Sequence, residues 1–172
     1  MASRRKGPLR AWRIADNRHP IYDGTGAMVW GARWNSPGHP VIYASASFAC
    51  AMLERLAHAG IGSIPKDQHS ITIDIPAIEI EEMTSAESIG WDLPDLSVSR
   101  AYGDGWFLSK RTAVLVVPSV VARPDCNVLI NPTHPDFPKI AHSKPEPVVW
   151  DRRLFHRNII SGRRDRVRKE SC

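Results

Sequence analysis

Ile71, Ile73 and Ile75 alternate with Ser70, Thr72 and Asp74, which is the period of a strand with one buried face. Ile78 and Ile80 carry the same pattern beyond Pro76. Residues 113–117 form a continuous apolar run, AVLVV, and predict a central strand ended by Pro118. Shorter apolar stretches at 11–14, 41–44, 120–122, 128–130 and 147–150 predict further strands. A polar segment rich in glycine and aspartate, extending to Ala27, reads as a loop. Ser45 or Ser47 is placed to cap a helix that runs to about His58 and stops at Gly60. Residues 97–110 predict a second helix, broken by Gly103 and Gly105. No internal repeat or linker divides the chain, so the expected fold class is α+β: a single domain with a mostly antiparallel sheet core and few helices.

Spacing residues 100° apart gathers Phe48, Ala49, Met52, Leu53 and Leu56 on one side of the first helix, and this side is expected to face the sheet. Glu54 then lies nearly opposite. A solvated glutamate is the simplest reading, but Cys50, Ala51 and Ala57 around it are small and leave room for a ligand to approach. Arg33 follows Gly31 by two residues and precedes Trp34, against which its guanidinium can stack. A guanidinium so fixed suits bidentate recognition of phosphate. Arg13 interrupts a strand-like stretch, and the alternation allows it to point either inward or to solvent. Tyr43, at the end of its strand, reads most simply as a core aromatic with a satisfied hydroxyl.

Other motifs are weaker. Gly24 and Gly26 lack the third glycine and the strong preceding strand of a dinucleotide-binding turn. Seven histidines and three cysteines show neither HExxH nor CxxC spacing, so no metal site is expected. Ser119 follows the central strand without a GxSxG elbow, which argues against a hydrolase triad. His134, in NPTHPDF, is better suited to tying a proline-rich loop than to acting as a base.

Charge changes this picture only at the ends. Of the net charge of +5, residues 1–10 contribute +4 through Arg4, Arg5, Lys6 and Arg10, and the tail from Arg157 contributes another +4, so residues 11–156 carry −3. We therefore divide the chain into a basic flexible N-terminus (1–10), a folded body (11–156) and a basic C-terminal tail (157–172). A weakly acidic body is a poor partner for a phosphate backbone, which leaves only the ends as candidates for nucleic-acid contact. The odd cysteine count, without paired spacing, fits a reducing cytoplasm, and no apolar run of signal-peptide or membrane-spanning length is expected to direct the chain elsewhere.

Taken in order, WRI (12–14), GTGA, GARWNSPGHPVIYASAS, AMLERLAH, GDGWF, VPSVV, NVLINPTHPDF and WDRRLF resemble the RES-domain toxins of bacterial toxin–antitoxin pairs, most of all those of the ParT type. The likeness covers nearly the whole body. The family is named for an arginine, a glutamate and a serine, which correspond to Arg33, Glu54 and Ser119, while Arg13 and Tyr43 match further pocket positions. GARW stands where GGRW is commoner, and Arg55 where an apolar residue is frequent. The resemblance implies a fold similar to ADP-ribosyltransferase toxins, NAD as co-substrate without a metal, and an antitoxin that covers the active site. It also implies transfer of ADP-ribose to a protein acceptor, with water or phosphate as the alternative acceptor. In those roles Glu54 stabilises charge on the ribose, Arg33 and Arg13 hold the pyrophosphate, Tyr43 packs on the nicotinamide or ribose, and Ser119 supplies a hydroxyl. A non-catalytic binding protein with a vestigial pocket is the contrasting class.

Overall fold

A computed structural model describes residues 3–59, 65–83 and 89–155. Among the described residues, nine strands form one sheet: β1 (Ser3–Lys6), β2 (Leu9–Asp16), β3 (Ile42–Ser45), β4 (Gln68–Ile75), β5 (Glu79–Glu82), β6 (Val114–Pro118), β7 (Cys126–Ile130), β8 (Ala141–His142) and β9 (Glu146–Pro147). Their order is β1-β5-β6-β7-β3-β2-β4-β8, with β9 also pairing β4. Only β5 and β6 run parallel; the other neighbours are antiparallel. The described residues also form three α-helices: α1 (Thr25–Trp30), α2 (Phe48–Ala59) and α3 (Ser97–Ser109). The α+β class and the mostly antiparallel sheet are as the sequence predicts.

Alternation along the strands divides the core in two. Ile71, Ile73 and Ile75 of β4 pack with Ile42, Ala44, Val114, Val116, Val128 and Ile130. The intervening positions Leu115, Val117 and Leu129 turn to a second cluster with Trp34, Trp91, Trp106 and Phe107, under α3. A period of two in central strands thus gives each face of the sheet its own apolar layer.

Several expectations are corrected. Thr25–Trp30, within and beyond the expected loop, is helical. Helix α3 runs unbroken through Gly103 and Gly105; a Cβ at Gly103 would lie 1.8 Å from the Trp34 carbonyl oxygen, so this glycine permits close packing rather than breaking the helix. Residues 120–122 are not a strand but part of the β6–β7 turn, closed by Ser119 N–H to Asp125 O (3.0 Å) and Asp125 N–H to Ala122 O (2.8 Å). Of the expected strand at 147–150, only Pro147 is in a strand, β9.

The basic N-terminus is not a loose end over Ser3–Lys6. Strand β1 pairs with β5, where Arg5 meets Glu82 and Arg4 lies 3.9 Å from Glu79. SRRK is charge-complementary to EIEE across the ladder, which is why this segment is captured as an edge strand. The expected stop at Gly60 and the tail at 157–172 lie outside the described residues. Among the described residues, no helix is long and apolar enough to cross a membrane.

Candidate functional site

Helix α2 presents the opposite side from the one its large apolar residues suggest. Phe48 and Leu53 are 38% and 47% exposed, whereas Cys50 and Ala51 are buried. The inward stripe is Ser47, Cys50, Ala51 and Glu54, at the i, i+3, i+4, i+7 spacing of one helical face. Small side chains let the helix come close to the sheet, and polar links fix it there. Ser47 caps the helix by accepting the Cys50 N–H at 3.1 Å, while its hydroxyl donates to Asp125. Polar bonds to the β6–β7 hairpin outweigh the apolar moment in choosing the face.

At the end of this stripe the Glu54 carboxylate meets two donors. Ser119 Oγ donates to Glu54 Oε1 at 2.9 Å, and Asn127 Nδ2 donates to the same oxygen at 2.6 Å. Ser119 is fully buried where the chain leaves β6; its hydroxyl also accepts the Ala122 N–H at 3.1 Å. Glu54 and Ser119, 65 positions apart, are thus in direct contact.

The sequence reading did not single out Asn127. It lies on β7 opposite Val117 of β6 and Ser45 of β3. A polar side chain beginning an otherwise apolar central strand, NVLI, is a usable signal, because a buried amide demands partners. Asn127 has them: Ser45 Oγ donates to its Oδ1 at 2.9 Å, and Cys50 Sγ lies 3.9 Å from the same oxygen. Burial is the main reason the Cys50 thiol is pushed above its ordinary range.

Tyr43 extends from β3 into the second core layer, and its hydroxyl is engaged on both sides. It donates to Asn35 Oδ1 at 2.7 Å and accepts the Trp34 N–H at 3.2 Å. Burial raises the phenol well above its usual range. Asn35 is fully buried and spends its amide on the carbonyls of Ala27, Ser36 and His39. Gly31, at φ +67° with Pro37 and Asn35 crowding its Cα, turns the chain from α1 into this loop.

Arg33 does not stack on Trp34. Trp34 is buried against Trp91 at 5.9 Å between ring centroids, and Arg123 takes the cation position over Trp91 at 5.4 Å. The Arg33 guanidinium instead makes two long bonds, 3.2 Å to Trp91 O and 3.3 Å to Leu93 O. Arg13 is drawn inward. Its guanidinium donates to Ile21 O, to Tyr43 O at 2.6 Å and to Asp23 O at 3.2 Å. Burial pulls its pKa down to about 10, opposed by Asp23 and reinforced by Arg55. Three of its five N–H groups therefore brace backbone. The structure brings Glu54 to Ser119 and Arg13 to Tyr43, and gives Arg33 separate partners.

Three further features are distinct from the Glu54 contact. Asp104 of α3 receives Ser36 Oγ at 2.6 Å and the Ser36 N–H at 2.9 Å, and His39 Nδ1 lies 2.8 Å away. Burial would raise this carboxyl, but those bonds hold it below the ordinary aspartate range. His134 Nδ1 accepts the Asp136 N–H at 3.0 Å, so this histidine ties its loop. A shallow groove of about 500 Å³ beside β2 and β4, lined by Leu9, Arg10, Asp74 and Lys139 among others, shares no residue with the Glu54 site.

Comparison with known proteins places the chain in a family. The model of the RES domain matches residues 10–151. The chain is 36% identical over 158 residues to the Prs ADP-ribosylating toxin of Sphingobium sp. (strain YBL2), covering 85% of this chain and 96% of that one. It is 32% identical over 147 residues to Toxin Res of Pseudomonas putida, covering 84% and 98%. A chain in the crystal structure of the M. tuberculosis MbcT–MbcA toxin–antitoxin complex has the same fold, with a TM-score of 0.69 at 18% identity over 85% of this chain and 87% of that one. Matched by the RES domain over most of its length and by relatives at 36% and 32% identity, the chain belongs to the RES domain family of toxins.

Proposed function

We propose that the protein cleaves NAD and transfers the ADP-ribose to a protein acceptor. The observation that carries this reading is the Glu54 carboxylate, anchored at 2.9 and 2.6 Å by Ser119 and Asn127. Similarity to a relative named as an ADP-ribosylating toxin supports it. As the bond between nicotinamide and ribose breaks, its electron pair leaves with nicotinamide and positive charge develops on the ribose carbon. A prepositioned carboxylate stabilises that charge. The acceptor's lone pair then forms the new bond to this carbon, and the acceptor proton passes to solvent or a nearby base.

Arg33 holds the pyrophosphate by exchanging its two long carbonyl bonds for charge-assisted ones. Arg13 adds its remaining N–H donors and braces the Tyr43 backbone, and the Tyr43 ring packs beside nicotinamide or ribose. Ser119 contributes its hydroxyl at the same carboxylate. An antitoxin covers this site, with a partner carboxylate attracted by Arg13 and Arg33, so antitoxin and NAD compete. Independent binding of the two would overturn that occlusion.

The test is to incubate pure protein with NAD, with and without phosphate and cell extract, following nicotinamide release and the fate of ADP-ribose. Label on a protein band supports transfer. Free or phosphorylated ADP-ribose without protein label supports an NAD-depleting glycohydrolase or phosphorylase instead. No nicotinamide release from folded protein sinks both.

A further inference from the structure

Three elements converge on one amide. Asn127 is set on β7 between β3 and β6, and its side chain reaches the carboxylate of a helix 73 positions away. Its two ends are not interchangeable. Ser45 Oγ donates to Oδ1 at 2.9 Å, with the Cys50 thiol on the same side at 3.9 Å. With donors on the carbonyl end, the amide N–H₂ end is left to face Glu54, where it forms the 2.6 Å bond. The opposite flip would set a carbonyl oxygen against the carboxylate and an N–H₂ against a hydroxyl that must then reverse its own donor. Both Asn127 and Ser119 donate to Oε1, so Oε2 is the oxygen turned away from this pair.

We propose that Asn127, with its amide orientation set by Ser45, is a positioning residue that pins Glu54 through Oε1 and presents Oε2 to the substrate. This rests on the reading of Glu54 as the carboxylate that stabilises the developing ribose charge. A glutamate on a helix has three rotatable side-chain bonds; two charge-assisted bonds to one oxygen remove that freedom before substrate arrives. Preorganisation of this kind acts on the transition state rather than on substrate binding. Ser119 alone would fix the distance but leave the carboxyl plane free to swing about a single bond. The second donor, from a different strand, sets the plane.

Four variants of the full-length protein test this: Asn127→Ala, Asn127→Asp, Ser45→Ala and Ser45→Thr. Each is measured in two ways, by the kcat and KM of nicotinamide release and by a crystal structure without NAD that shows the position of the Glu54 side chain. Asn127→Ala is expected to lower kcat about 10- to 100-fold with KM changed less than about threefold, and to leave the Glu54 carboxylate spread over more than one rotamer. Asn127→Asp keeps the shape but sets a carboxylate against Oε1. The like charges repel, Oε1 is pushed from its wild-type position, and kcat falls at least as far as in Asn127→Ala. Ser45→Ala gives a smaller loss, about three- to tenfold in kcat, and Ser45→Thr restores it.

A folded Asn127→Ala protein whose Glu54 carboxylate keeps its single wild-type position overturns the proposal, as does a loss confined to KM. Should Asn127→Ala fail to fold, the isosteric Asn127→Asp and the Ser45 pair decide the matter by the same readouts. The crystal structure requires no turnover. A displaced Glu54 carboxylate in Asn127→Ala therefore supports the pinning even where Glu54→Gln keeps full activity, an outcome that would overturn the role of Glu54 and not the contact.

Discussion

The Tyr43 hydroxyl and the Asn35 amide hold one another at 2.7 Å, which joins a strand of the sheet to the loop that carries Arg33. Tyr43 also accepts the Trp34 N–H, next in sequence to Arg33. Removing the hydroxyl in Tyr43→Phe leaves a buried amide oxygen and a backbone N–H without this partner, at a cost of about 1–3 kcal/mol. The ring remains. We expect a lower thermal midpoint and a raised KM for NAD, because the Arg33 loop loosens, with kcat reduced much less. Tyr43→Ala, which also loses the ring, is expected to reduce both. Equal kcat losses in the two variants would show that the hydroxyl itself acts on the substrate.

Glu54→Gln keeps the side-chain shape while removing the charge to which the proposed function assigns stabilisation of the ribose carbon. The expected loss is on the order of 3 kcal/mol, about two powers of ten in kcat. Growth inhibition on expression should disappear with it. Retention of wild-type nicotinamide release by the folded variant is the result that would reject the assigned role.

Strand β1 lies four strands from β3 in the sheet and two from β6, which delivers Ser119. Deleting residues 1–6 removes the ladder to β5 with its Arg5–Glu82 and Arg4–Glu79 pairs. Exposed ion pairs contribute little, so we expect a stability loss of roughly 1–2 kcal/mol, chiefly from the ladder. Nicotinamide release per folded molecule should be unchanged, as measured by denaturant melts alongside turnover. A drop in kcat at equal folded fraction would mean that the edge strand reaches the chemistry.

Acid stability has an identifiable contributor. Asp104 is held below its ordinary range by Ser36 and His39, so its folded pKa lies below its unfolded one. Such a group stabilises the fold above the ordinary aspartate range and loses that contribution as pH falls through the lower folded value. Asp104→Asn should therefore be less stable than wild type at neutral pH by about 1–3 kcal/mol, and the gap should narrow on acidification below the ordinary range. Urea melts of both proteins across pH 3–7 would check this. A gap that widens toward acid contradicts the assignment.

Much of the fold was legible where burial follows a simple period. Ile71, Ile73 and Ile75 mark β4, and residues 113–117 mark a strand that lies centrally between β5 and β7. Helix α2 was legible as a helix but not in its orientation. Phe48 and Leu53 weigh heavily in any apolar moment, yet Ser47, Cys50 and Glu54 bond to the β6–β7 hairpin and turn the larger side chains outward. Gly103 reads locally as a helix breaker because its reason, the Trp34 backbone, lies 69 positions away. The Glu54–Ser119 contact was accessible only through family resemblance, since no local spacing connects residues brought together by the sheet. Asn127 was overlooked because a single asparagine in NVLI carries no signature until its cross-strand neighbours are known.

The packing of Gly103 on Trp34 also has a genetic consequence. Any side chain at position 103 must lift α3 from the Trp34 carbonyl, disturbing Arg100 Nε, which donates to Ala32 O at 2.9 Å beside Arg33. A cell that survives induction of this gene without an antitoxin has inactivated the product. Among such survivors, missense changes at Gly103 should recur alongside those at Glu54. A codon remote in sequence from the carboxylate would thus behave as a hotspot for escape.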